Sequence, residues 1–162
     1  MKAHARAGWL KIAAVLCAAW IVTPSAWPAA KNMAVVVSAG SKLTDLPLSD
    51  LVKLCKGMMK AWPDGKAFVL VVKEPDSAEM RAASLKLFGA SGSEVKAAIA
   101  KLNEARTVVK IVESDEDLLR TVAATPGAVG IVDVYAINSA VKVLRVDGKL
   151  PFDLGYALKS NQ

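Results

Sequence analysis

Apolar residues recur along this chain at two spacings, and the alternation between them sketches a fold before any chemistry is considered. Met33 to Val37 is a short run rich in β-branched residues, ended by Ser38-Ala39-Gly40-Ser41, which reads as a strand running into a loop. Pro47 suits the first turn of a helix. Leu48, Leu51, Cys55 and Met58 then recur at i, i+3, i+7 and i+10, the inner face of that helix. Trp62-Pro63-Asp64-Gly65 is a turn, because proline presets φ and glycine accepts a positive φ. Ala67 to Val72 is apolar throughout, as in a strand covered on both faces.

Asp76 and Glu79 have the spacing of a capping box and predict a helix to Phe88, closed by Gly89. Ser91 and Glu94 form a second box. Behind it Val95, Ala98, Ile99 and Leu102 share one helical face, opposite Lys96, Lys101 and Glu104. Val108 to Val112 is strand-like. Ser114 to Asp117 opens another helix, its three acids suited to the positive end of the helix dipole, and Leu118, Leu119, Val122 and Ala123 make its apolar side. Pro126-Gly127 stops it. Ala128 to Val134 and Val141 to Val146 are strands, with Asp147-Gly148 as a turn. The pattern predicts an α/β fold: a mainly parallel sheet of four to five strands flanked by helices.

The first thirty residues read differently. Lys2, His4, Arg6 and Lys11 precede an unbroken apolar run of 11 residues, Ile12 to Val22, and small residues follow at Ser25-Ala26 and Ala29-Ala30. That layout is a secretory signal peptide over 1–30, and the run is shorter than the roughly 20 residues a membrane span needs. Pro24 and Pro28 fall awkwardly for cleavage, so a retained anchor is the alternative. Lipidation at Cys17 is disfavoured by bulky Leu16 before it. On this reading residues 31–162 form one periplasmic domain.

Composition then narrows the chemistry. The chain has 162 residues, Lys+Arg 21 against Asp+Glu 15, and 54% hydrophobic residues, which describes one globular domain. Without Lys2, Arg6 and Lys11 the balance is 18 to 15, a net charge of +3. No basic run or aromatic–basic interleaving remains, so nucleic acid is not an expected partner. The sole histidine, His4, lies in the export segment, so the exported chain would carry no histidine triad and no histidine metal ligand. Cys55 would stand alone, on an apolar helix face and without a base to activate it; it reads as a core thiol. Glu113, Asp115, Glu116 and Asp117 lack the spacing of a calcium loop. No cofactor, metal or enzymatic centre is expected.

Three segments, in order, resemble the phosphate-binding type of periplasmic substrate-binding proteins, in particular short single-lobe members of that type II superfamily. Leu51-Val52-Lys53-Leu54-Cys55-Lys56-Gly57 with Trp62-Pro63-Asp64-Gly65 resembles an L-x-x-I-F-x-G segment followed by a W-x-x-G turn. Ser114 to Leu119 with Val122 to Gly130 resembles S-x-E-E-x-L…V-A-x-T-P-G-A-I-G-Y, and Val141 to Gly148 with Gly155-Tyr156-Ala157-Leu158 follows. The resemblance implies one lobe plus its hinge-side strands, with the usual ligand cleft lying between two lobes. In the phosphate binders a strand leads into R-x-D-G-S-G-T at a helix start, where N–H groups, hydroxyls and an arginine hold the anion. Aligned on Val71-Val72 and Arg81, this chain places Glu74 at the arginine, Ala78 and Met80 at hydroxyls and Glu79 at a glycine. Added carboxylates oppose an anion, by ~1 kcal/mol or more each when partly desolvated.

The ligand-binding candidates are therefore Lys73 and Ser77 at the mouth of that half-site, Arg81 behind them, and Ser38 and Ser41 in a loop at the end of a strand, where open α/β sheets place ligands. Ser77 also reads as a plain N-cap, Arg81 as a solvated helix charge, and Trp62 as packing over its own turn. The function expected is non-enzymatic recognition, by docking an envelope partner or weakly binding a small solute. The competing reading is the substrate-binding component of an importer for phosphate or another small anion.

Overall fold

The computed structural model describes residues 32–62, 64–77 and 79–159; the export segment read at 1–30 lies outside the described residues. Elements follow in the order β1 (Met33–Ser38), β2 (Asp45–Leu46), α1 (Leu48–Cys55), β3 (Val69–Lys73), α2 (Arg81–Phe88), α3 (Ser93–Glu104), β4 (Val108–Val112), α4 (Asp115–Ala124), β5 (Ala128–Asp133), β6 (Val141–Val143) and β7 (Arg145–Val146). Five strands form one sheet in the order β4-β3-β5-β1-β6, while β2 and β7 pair separately. β3 is parallel to β4 and β5. β1 is antiparallel to β5 and to β6. Four strands thus run the same way and β1 alone opposes them, which makes the sheet mixed.

Both faces of the sheet are covered, and the period of two along each strand divides the core. Val35, Leu70, Val72, Val129 and Ile131 face α1, α2 and α3, meeting Leu51, Leu54, Cys55, Leu87, Val95 and Ile99. Ala34, Val36, Val71 and Val132 face α4, meeting Leu118, Leu119 and Val122. Gly130 lies on the α4 side: a Cβ there would come within 2.6 Å of Leu118 and 2.8 Å of Val122, so its missing side chain lets α4 sit close to the sheet.

Local details differ from the sequence reading where tertiary contacts took the groups involved. α1 ends at Cys55 and Gly57 turns the chain with φ 70°, so Met58 leaves the helical phase and is exposed. Asp76 and Glu79 do not cap a helix. α2 starts later, at Arg81, and it is Ser77 that accepts the Met80 N–H, at 3.3 Å. α3 is preceded by Gly92 with no side-chain cap, not by a Ser91 box. α4 starts where expected, and Ser114 caps it, accepting from the Asp117 N–H at 3.1 Å. The strand expected over 141–146 breaks at Leu144, whose N–H bonds to the Val35 carbonyl at 2.8 Å, and β7 turns away to pair with β2.

Cys55 is fully buried, and burial pushes its thiol up to about 12. The thiolate needed for attack is therefore scarce at neutral pH. Ellman-type labelling is expected to be negligible in the folded protein and complete in denaturant. Fast labelling of the native state would mean that α1 presents a different face to the core.

Candidate functional site

The sequence-nominated residues do not converge on one site. β1 runs against the other strands, so its carboxyl end lies at their amino ends. Val37 is level with Val129, and Val129 with Leu70. Ser38 and Lys73 are consequently four residues apart along the strand direction, about 13 Å at ~3.3 Å per residue, besides the lateral offset. The rule that ligands sit at the carboxyl ends of strands led to Ser38 and Ser41 only because strand direction was not legible. Both line a cavity at the amino ends of β3 and β5, together with Trp62. Lys73, Ser77 and Arg81 lie at the opposite end.

At that opposite end β3 finishes in Lys73, and the chain crosses to α2 through 74–80. The Lys73 ammonium is 2.8 Å from Glu79 Oε2 and 2.9 and 3.0 Å from the two Asp115 oxygens. Only 16% of the Lys73 side chain is exposed, with 27% for Glu79 and 30% for Asp115. Asp115 is the first residue of α4, so its carboxylate also sits at the positive end of that helix. Partial burial pulls the Lys73 pKa down. Hydrogen bonds and charge from Glu79 and Asp115 outweigh that effect, and the net shift is upward. Lys73 is a cation at neutral pH, and its donors are already engaged.

A second pair of contacts anchors the same loop from α3. Lys96 reaches Glu74 at 2.7 Å and Asp76 at 3.0 Å, all three side chains being well exposed. Ser77 is half-buried and closes a turn: its carbonyl accepts from Met80 and Arg81, and its hydroxyl from Met80. Arg81 is exposed on the first turn of α2. The loop and the ends of β3, α3 and α4 around it thus bring together two lysines and four carboxylates, Glu74, Asp76, Glu79 and Asp115. An incoming anion meets an excess of negative charge, because the positions that would serve it have been given to internal ion pairs. Among the described residues no group of His, Cys, Asp and Glu is arranged to hold a metal ion, and no helix is long and apolar enough to cross a membrane.

No family model matches the sequence. A phosphate-binding protein PstS 2 of Streptococcus agalactiae is 30% identical over 84 residues, which cover 52% of this chain and 28% of that protein. PstS from Borrelia burgdorferi superposes with a TM-score of 0.63 over 82% of this chain and 55% of its own, at 14% identity. A putative phosphate ABC transporter substrate-binding protein from Clostridium perfringens, solved with bound phosphate, gives 0.60 over 75% and 47%, at 17% identity. The chain has a PstS-like fold. It spans about a quarter of the curated relatives' length and about half of the solved ones.

Within the PstS-like fold, sequence reasoning missed Asp115 as a member of the charged site and the pairing of both carboxylates with Lys73. The sequence places Asp115 at a helix start, and Glu79 in a capping box and as an added carboxylate in the half-site, but it does not join the two through Lys73. Their shared partner Lys73 is 42 positions from Asp115. The one available signal was that both follow strands: Lys73 pairs with Val112 in a parallel ladder, three residues before Asp115. That signal becomes usable only when the partner strand and the register are known.

Proposed function

We propose that this chain is an exported, non-enzymatic recognition domain of the phosphate-receptor type, contributing one lobe to the solute site of an importer. In this lobe Lys73, Ser77 and Arg81 are the polar contribution to that site, and Glu79 and Asp115 occupy the cation until solute and an opposing lobe displace them. The observation that carries the reading is Lys73, held between two carboxylates at the end of β3 in a PstS-like fold. An anion site needs convergent donors and an available cation to offset desolvation; here the cation is present but occupied.

Calorimetry tests this. The protein alone is expected to give no signal with phosphate up to about 100 μM, which corresponds to less than roughly 5.5 kcal/mol of binding. Glu79→Gln, which releases one of the two competing charges, is expected to bring phosphate binding into the measurable range. A low-micromolar constant for the unmodified protein, or no gain in the variant, defeats the proposal. Export has its own test: protein recovered from the cell envelope is expected in the soluble fraction, beginning between about residue 26 and residue 34, whereas intact Met1 in the membrane pellet favours an anchor.

Docking to an envelope protein is the second reading. It draws on an exposed apolar cluster just past β5, where the Tyr135 and Phe152 rings lie 6.1 Å apart with Leu154 95% exposed nearby in sequence. The relatives named as phosphate receptors favour the importer reading over this one.

A further inference from the structure

The cavity at the amino ends of β3 and β5 is a separate feature from the charged loop, and no part of the proposed solute site uses it. Its volume is about 500 Å³, within the range of roughly 300–1,000 Å³ that small-molecule sites occupy. Val37, Trp62, Ala124, Pro126 and Ala128 contribute to a mostly apolar wall, and Ser38, Ser41, Lys42 and Lys66 bring polar groups to it. We propose that this cavity binds an amphipathic monocarboxylate, its hydrocarbon or aryl body against the apolar wall and its carboxylate at Lys42 and the two serine hydroxyls.

The wall is held in shape by contacts of its own. Trp62 is buried, packs edge-on against Phe68 at 5.4 Å and donates from Nε1 to the Gly127 carbonyl at 2.9 Å. The loop after β1 is closed by the Ser41 N–H to Ser38 carbonyl bond at 2.9 Å, and the Lys142 ammonium donates to the Ser41 carbonyl. A preformed wall of this kind loses little ordering entropy when a ligand enters.

Charge selects the ligand's sign. Lys66 is neutralised by Asp64 at 2.7 Å. Lys42 is exposed and forms no ion pair with a described residue, which leaves the mouth with a net positive charge. Ser41 Oγ accepts the Leu43 N–H at 3.2 Å, so its own proton remains available to donate. Lys142, whose ammonium donates to the Ser41 carbonyl, forms no ion pair with a described residue either. An exposed cation with hydroxyl donors beside it matches a carboxylate. Phosphate has no apolar body to fill the cavity. An uncharged hydrocarbon would leave the cation unused.

Octanoate is the probe, titrated into the protein and followed by amide NMR shifts. The expected result is saturable binding below about 5 mM, with the largest shifts at Gly40, Ala124 and Gly127. Ala124→Trp, at an exposed position on the rim, is expected to abolish those shifts while the rest of the spectrum stays native. Lys42→Glu is expected to weaken octanoate about fivefold, the size of an exposed charge pairing lost and reversed, while octan-1-ol binds as before. No saturable shift, shifts centred elsewhere, or octanoate binding unchanged in a folded Ala124→Trp protein overturns the site. Equal weakening of octanoate and octan-1-ol by Lys42→Glu overturns the carboxylate assignment.

Discussion

Gly127→Ala is expected to lower the stability of this protein by about 3–4 kcal/mol, combining the cost of a non-glycine residue in a left-handed conformation with that of overpacking. Gly127 follows Pro126 in the turn that ends α4, where the Ala128 N–H bonds to the Thr125 carbonyl at 3.1 Å. Its φ is 79°, and a Cβ would lie 2.4 Å from the backbone oxygen of Ala67. A carbonyl in the chain leading into β3 cannot step aside as a flexible side chain would. The Gly127 carbonyl also accepts from Trp62 Nε1 and from the Val69 N–H, so any shift is felt by three segments. Gly148→Ala is the control: φ is 74° but nothing lies within 4 Å of the added Cβ, and only the conformational part, about 1 kcal/mol, is expected. Urea unfolding of the two variants separates the terms. Equal losses in both would show that the Ala67 carbonyl does not constrain the turn.

Lys73→Met is expected to cost about 2 kcal/mol, between the small loss at an exposed ion pair and the 3–5 kcal/mol of a fully buried one. The substitution removes the Lys73 charge from between Glu79 and Asp115, whose carboxylates are both partly desolvated. Adding Glu79→Gln and Asp115→Asn to Lys73→Met is expected to recover much of the loss, which a merely steric role for Lys73 would not allow. The pH dependence has a definite sign. The folded-state pKa of Lys73 is raised, so its contribution is fully present below the ordinary lysine value of ~10.4 and is lost as pH rises through the folded value. The stability gap between the parent and Lys73→Met is therefore expected to stay constant through neutral pH and close in the alkaline range. A gap that persists undiminished at pH 11 would assign it to packing.

Most elements were legible because they announce themselves locally. The β-branched run at Met33, the apolar strand ending at Val72, the Ser114 cap and the Asp147-Gly148 turn each carry their own signal within a few residues. In the last of these both residues have positive φ, and Val146 and Lys149 bond to each other across it. Gly92 stands before α3 in place of a Ser91 cap, and the capping box at Asp76 lost its side chains to ion pairs. A capping side chain stabilises by ~1 kcal/mol, and the carboxylates at 76 and 79 found cationic partners on β3 and α3 instead. The candidate site was legible in composition, with Lys73, Ser77 and the carboxylates around them all present, but not in who pairs with whom.

What the sequence by itself determined is the alternation of strands and helices, the two apolar faces of the sheet, and the excess of acids after β3. Each depends on residue type and spacing within one element. Strand direction and register were decided by the tertiary structure alone. β1 enters between β5 and β6 against the direction of the other strands, which sends Ser38 and Ser41 to the end of the sheet opposite Lys73. The physical reason is that a buried strand satisfies its hydrogen bonds in either direction and presents the same apolar alternation both ways. Its residues therefore carry the demand for burial but not the choice of neighbour, and the position of every side chain at its ends follows from that choice.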